Sequence, residues 1–181
     1  MKIESTHIEG LLVITPTIFK DDRGYFFESF NKKIFEEQTK SSIDFVQDNQ
    51  SKSEKNVLRG LHFQNPPFDQ GKLVRVIAGS VLDIAVDIRK KSSTYGQHFK
   101  IVLDTQKQQI LWIPSGFAHG FVSLEDDTIF SYKCTNYYHK DSEGCILYND
   151  SEIGIDWEVQ NPILSAKDKV GENFSTFVSQ F

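Results

Sequence analysis

The chain has 181 residues, 39% hydrophobic and 25% charged, with 15 Phe, 6 Tyr and 2 Trp, the make-up of one globular domain with a full core. Its formal net charge of −5 excludes nucleic acid as the main partner, because a phosphate backbone needs a basic footprint; a small phosphorylated ligand, held by a few well-placed cations, stays open. No apolar leader follows Met1 and no apolar run reaches membrane-spanning length, so the expectation is a cytoplasmic protein without a membrane partner.

In chain order, Ile8–Ile18 reads as a strand interrupted by Pro16, followed by a turn at Asp21-Asp22-Arg23-Gly24 and a second strand over Tyr25–Phe30. Asn31 is placed to cap a short helix over Lys32–Gln38, with Ile34 and Phe35 packing inward. Lys72–Ile77, the turn Gly79-Ser80 and Val81–Ile88 read as a hairpin. In its second arm Val81, Asp83, Ala85 and Asp87 share one face and Leu82, Ile84, Val86 and Ile88 the other. Phe99–Leu103, Gln109–Ile113, Gly120–Ser123 and Thr128–Thr135 continue the pattern. Short strands at this spacing predict an antiparallel sandwich or barrel. Residues from Asp150 onward, with Trp157, Pro162 and a short helix after Ser165, read as a segment wrapping back over it. Cys134 and Cys145 are too few to staple a chain of this size and read as small buried side chains.

Four clusters carry candidate chemistry. Arg59-Gly60-Leu61-His62-Phe63-Gln64 precedes Gly71-Lys72. In a strand, Gly60, His62 and Gln64 would point together, and an inward imidazole can act as a base near neutral pH; a core histidine satisfied by one hydrogen bond explains His62 equally well. Pro114-Ser115-Gly116 is a turn that delivers His119 onto a strand. A metal-binding barrel would want His-x-His, and Gln64 stands two after His62, so no metal is expected. Tyr132 and Tyr138 are candidates to line a barrel, and a buried phenol near cations can serve as a general acid; aromatic core residues are the alternative. Ser165, with Asp168 three residues on, reads as a helix cap; Asp168 bonding a histidine is the other reading.

Taken together, Asp22-Arg23-Gly24 with Phe26 and Glu28, Gln47-Asp48-Asn49, the Arg59–Gln64 run, Pro114-x-Gly116-x-x-His119-Gly120-Phe121, Tyr132-Lys133-x-Thr135-x-Tyr137-Tyr138 and Leu164-Ser165-x-Lys167-Asp168 strongly resemble the dTDP-4-dehydrorhamnose 3,5-epimerase family over nearly the whole chain. The resemblance implies an all-β, cupin-type jelly roll with a few short helices, a single domain over residues 1–181. It also implies a homodimer that exchanges the N-terminal strands, about residues 1–30, with a C-terminal segment from about 150 wrapping the barrel. It implies no metal, no nicotinamide or other cofactor, and a nucleotide-sugar substrate. It makes His62 the base with Asp168 its partner, Tyr132 the acid on the opposite face of the sugar, and Lys72 the cation beside the enolate. Arg23, Glu28, Gln47, Asn49, Arg59, His119, Glu143 and Lys167 become substrate contacts, with Tyr138 and Phe26 at the thymine. The implied reaction inverts C3 and C5 of dTDP-4-keto-6-deoxy-D-glucose in dTDP-L-rhamnose synthesis.

The segment after Tyr138 lacks an expected proline, and Trp157 is followed by Glu158 instead of proline; both bear on nucleotide and sugar preference. A C3-only or C5-only epimerase and a non-catalytic sugar-nucleotide-binding cupin are the alternatives. Tyr132 and Gln64 argue against a ketoisomerase, which would carry a histidine soon after His62.

Overall fold

A computed structural model describes residues 1–181. Its elements are β1 (Lys2–Ser5), β2 (Leu12–Thr15), β3 (Phe19–Asp21), β4 (Gly24–Phe26), α1 (Lys32–Thr39), β5 (Gln47–Ser53), β6 (Leu58–Gln64), β7 (Lys72–Ala78), β8 (Ser80–Asp87), β9 (His98–Asp104), β10 (Ile110–Ile113), β11 (Phe117–Ser123), β12 (Thr128–Cys134) and β13 (Glu143–Cys145). One antiparallel sheet has the order β1-β2-β10-β7-β12-β5 and the other β13-β6-β11-β8-β9, while β3 and β4 form a separate hairpin. This is the all-β jelly-roll sandwich that the resemblance implied. No helix is long and apolar enough to cross a membrane.

The alternation of β8 shows why the sheets stack. Val81 and Ala85 join Val74, Val76, Leu111, Phe117, Phe121 and Phe130 in the layer between the sheets. Leu82, Ile84, Val86 and Ile88 belong to a second apolar layer on the far side of the five-stranded sheet. Phe174, Phe177 and Phe181 from the C-terminal segment pack on that second layer, and Val57 and Ile146 bridge to Ile163 and Glu172 of the same segment. Each fully buried Val, Leu or Ile contributes roughly 1.5–3 kcal/mol relative to exposure, so a strand buried on both faces must be covered on both.

The six-stranded sheet is capped by α1. Asn31 Oδ1 accepts from the Ile34 N–H at 3.3 Å, and Lys40 ends the helix in the left-handed region at φ 56°. Phe35 is buried edge-on against Trp112, with ring centroids 5.1 Å apart, and Phe30 and Phe45 complete the aromatic cluster.

Some local expectations change. The strand expected over Ile8–Ile18 shortens to β2, Leu12–Thr15, and the polar start of the chain, not read as a strand, pairs with it as β1. The strand over Tyr25–Phe30 ends at Phe26 because its partner β3 has only three residues. The helix after Ser165 is a single 3-10 turn, Asp168–Val170.

A carboxylate clasp fixes the connection after β8. Asp87 accepts from Arg89 Nε at 2.9 Å, Arg89 Nη2 at 2.7 Å, Ser92 Oγ at 2.6 Å and Thr94 Oγ1 at 2.7 Å. Burial pushes its carboxyl upward, but these bonds outweigh burial and hold it at about 2. A depressed carboxyl stabilises the fold above its unfolded pKa, near 3.8, and that stability is lost as pH falls through about 2. The stability gap between wild type and Asp87→Asn is therefore expected to shrink by about 2 kcal/mol between pH 4 and pH 2, read by urea denaturation; a gap that stays constant over that interval contradicts the assignment.

Candidate active site

A cavity of about 230 Å³ opens between the two sheets, lined by Gln50, Ser51, Arg59, His62, Lys72, His119, Phe121, Phe130, Tyr132, Ser165 and Asp168. A smaller lobe of about 140 Å³ shares His62, Lys72 and Tyr132 and adds Gln47, Asn49, Gln64, Tyr138 and Glu143 among others. Four sequence clusters thus meet in one space, reached by inward-facing positions of β5, β6, β7, β11, β12 and β13 and by the C-terminal segment.

His62 and Asp168 are bonded, with Nε2 and Oδ1 2.6 Å apart. Burial raises the Asp168 carboxyl, but bonds from His62, Ser165 and the Gly60 backbone bring it below its ordinary value. An ionised carboxylate only accepts, so Nε2 carries the hydrogen and Nδ1 of a neutral ring keeps its lone pair. Ser165 Oγ donates to Asp168 Oδ2 at 2.7 Å and accepts from the Asp168 N–H at 3.2 Å. The two sequence readings of Ser165-x-x-Asp168 therefore coexist: one carboxylate oxygen closes the local turn and the other holds the histidine.

The backbone of β6 decides which of its side chains reach the cavity. Residues three apart on a regular strand lie on opposite faces, yet Arg59 and His62 both line the cavity. The register against β11 shifts between His119 and Phe121, which pair with His62 and Arg59. A bulge at Gly60 takes up the extra residue and resets the alternation. Gly60 sits at φ +139°, and a Cβ there would lie 2.5 Å from the Gly120 Cα. Gly60 therefore does not share the inward face with His62 and Gln64, as a regular strand would require; Arg59 takes that place.

Tyr132 reaches the cavity from β12, on the sheet facing β6. Burial raises its phenol above the ordinary value, partly opposed by a bond with Asn49, so the hydroxyl is protonated at neutral pH. Lys72 enters from β7, and its Nζ donates to the His62 carbonyl at 3.3 Å. Burial lowers its ammonium pKa, against the pull of Cys134, Asp83 and Glu143. An unprotonated imidazole nitrogen on one sheet and a phenol and an ammonium on the other can remove a proton from one side of a bound molecule and deliver one to its opposite side.

Other expected site residues lie at the rim. Arg59 Nε donates to Ser53 Oγ at 3.1 Å. Gln47 Nε2 donates to Asn49 Oδ1 at 2.9 Å. Tyr138 is 55% exposed, a rim position and not the barrel lining; its hydroxyl donates to Glu143 Oε2 at 3.1 Å, and Glu143 is also paired with Lys167. Arg23 and Phe26 are not brought to this cavity. They line a separate surface depression on the β3–β4 hairpin, where Arg23 pairs with Asp21. Glu28 is exposed, and accepts from Asn31 Nδ2 at 3.2 Å.

Two neighbours were missed. Asp83, fully buried, holds His119 Nε2 at 3.0 and 3.1 Å; a carboxylate inside an apolar strand was the available signal. Cys145 is only half-buried and lies opposite His62 in the β13–β6 register, whereas a buried core thiol was expected. Burial pushes this thiol up to about 11.

Residues 5–176 match the family described as dTDP-4-dehydrorhamnose 3,5-epimerase. The dTDP-4-dehydrorhamnose 3,5-epimerase of Salmonella typhimurium is 54% identical over 93% of this chain and 92% of its own length. A dTDP-6-deoxy-D-glucose-3,5-epimerase from Legionella pneumophila, solved in complex with dTDP-4-keto-L-rhamnose, superposes with a TM-score of 0.94 at 46% identity, covering 98% of this chain and 94% of that one. A 3′-monoepimerase from Streptomyces bikiniensis in complex with dTDP-quinovose superposes at 0.90 with 29% identity, covering 94% and 87%.

The bulge carries a prediction of its own. Gly60→Ala is expected to cost about 1–3 kcal/mol of unfolding free energy, because its Cβ must push β11 aside and its backbone conformation disfavours a side chain. Unchanged stability in urea titration would mean that β6 can relax without the close approach.

Proposed function

We propose how this chain, which belongs to the dTDP-4-dehydrorhamnose 3,5-epimerase family, carries out the reaction of that family. It is an isomerase that inverts C3 and C5 of dTDP-4-keto-6-deoxy-D-glucose to give dTDP-4-keto-L-rhamnose, for dTDP-L-rhamnose synthesis. The observation that carries the assignment of roles is the opposition of His62 and Tyr132 across one cavity, each from a different sheet.

The ketone at C4 acidifies the hydrogens on C3 and C5. His62, with its Nε2–H held by Asp168, takes one of them on its free nitrogen, and the electron pair moves onto the C4 oxygen as an enolate. The Lys72 ammonium stabilises that oxygen; a cation fixed in a partly desolvated site is effective there because it need not reorganise as charge develops. Tyr132 returns a proton from the opposite face, and the carbon is inverted. Asp168 fixes the imidazole orientation and supports the imidazolium formed in the step.

Substrate binding falls to the rim. Arg59 and Lys167 face the diphosphate, for which the planar guanidinium fork suits two oxygens at once. Gln47, Asn49, His119 and Glu143 contact sugar and nucleotide, and the exposed Tyr138 ring stacks on thymine. Arg23, Phe26 and Glu28 act in trans. The protein works as a homodimer in which the N-terminal segment of one protomer completes the cavity of the other. Support comes from the β3–β4 hairpin, where Phe19, Tyr25 and Phe26 are 62%, 58% and 66% exposed, an apolar display typical of an interaction surface.

Proton NMR in deuterated buffer with dTDP-4-keto-6-deoxy-D-glucose tests the reaction: deuterium is expected at both C3 and C5. Exchange at a single carbon would assign the narrower chemistry of the monoepimerase relative, and binding without exchange would leave a sugar-nucleotide-binding protein. His62→Ala is expected to lower kcat by about 10³-fold or more while dTDP affinity changes little; equal loss of both would make His62 structural. Tyr132→Phe is expected to suppress inversion more than hydrogen exchange, since proton removal needs only the base, and wild-type epimerisation by that variant would refute the acid role.

A further inference from the structure

We propose that His62, Asp168 and Cys145 form a binding site for Zn²⁺, at which the ion reversibly inhibits the enzyme. One imidazole nitrogen, one carboxylate oxygen and the thiol sulfur lie within 4.8 Å of one another. The three come from separate parts of the fold: His62 from β6, Cys145 from the edge strand β13 directly opposite it, and Asp168 from the C-terminal segment. Donors around tetrahedral Zn²⁺ stand about 3.3–3.6 Å apart, given metal–ligand bonds of about 2.0–2.3 Å. Side-chain rotations of roughly an ångström therefore bring the three donors onto one ion: Cys145 closes in, and the 2.6 Å contact between His62 and Asp168 opens slightly.

The donor set selects the metal. Nitrogen, oxygen and sulfur together suit Zn²⁺ and its spectroscopic substitute Co²⁺, while Mg²⁺ takes oxygen ligands and has no use for a thiol. Binding at Nε2 moves the imidazole proton to Nδ1, releases the Cys145 thiol proton to solvent and changes no oxidation state. His62 and Asp168 line the cavity, so the fourth metal position is free for a water molecule, as in open three-ligand sites. With the ion on Nε2 and the ring proton on Nδ1, the imidazole has no lone pair left to take a proton, and the carboxylate that orients it is drawn away. The inhibition rests on His62 being the base of the proposed reaction; the binding does not.

The test uses the purified dimer or monomer as isolated, first stripped with EDTA. Buffered Zn²⁺ is expected to suppress turnover with one ion bound per chain, EDTA to restore it, and Mg²⁺ to have no effect. Cys145→Ala and Cys145→Ser are expected to turn over in metal-free buffer and to need about tenfold more Zn²⁺, or more, for the same inhibition. Co²⁺ supplies a readout independent of activity: a thiolate-to-cobalt charge-transfer band in the wild type, absent in Cys145→Ala, which keeps Cys134 as its one remaining thiol. Equal zinc sensitivity of wild type and both variants, or cobalt binding without that band, overturns the proposal. A wild type that shows the Cys145-dependent band but never turns over leaves the metal site standing and removes the enzymatic reading instead.

Discussion

The hydrogen bond between His62 and Asp168 is the contact on which the site depends. It joins positions 106 residues apart and links the C-terminal segment to an inner strand of the five-stranded sheet. It determines which imidazole nitrogen is free, because an ionised carboxylate leaves the bonded nitrogen no role except donor. It also keeps Asp168 ionised, since without partners burial would drive that carboxyl upward. The same segment covers the outer layer of the sheet with Phe174, Phe177 and Phe181. Packing that stabilises the fold and positioning that serves the chemistry are therefore carried by one stretch of chain.

A two-sheet sandwich suits an inversion for a geometric reason. The base and the acid must approach a carbon from opposite sides, and the inner faces of two stacked sheets are opposed surfaces held about 10 Å apart. Tyr132 sits between β7 and β5 in its sheet and His62 between β13 and β11 in the other, so neither belongs to a mobile loop. Burial does the tuning: it keeps the phenol protonated and lowers the lysine pKa, without any change in residue type.

Much of the architecture was readable in advance where hydrophobic alternation was strong. The two faces of β8 divide between two apolar layers as the sequence predicts. The Asn31 cap and the inward Phe35 likewise follow from local rules. Reading failed where pairing depends on a distant partner. β1 has a polar sequence and exists because β2 is beside it, and β13 is three residues long and defined by its pairing with β6. Within one chain Arg23 and Phe26 line a depression of their own on the β3–β4 hairpin, a placement that a motif's order along the chain does not specify.

The sequence by itself determined the inventory: an imidazole, a phenol, a lysine, a carboxylate and a set of cations, in an order and spacing that resemble one family. It also determined the fold class, because strand periodicity and turn residues act over a few positions. Tertiary structure decided which of these side chains meet. Parity along a strand would have put Arg59 and His62 on opposite faces; the bulge at Gly60, set by the close approach of Gly120, puts them in one cavity. Cys145 is brought beside His62 through strand pairing alone. Spacing encodes direction only while the backbone stays regular, and the site is built where long-range packing makes it irregular.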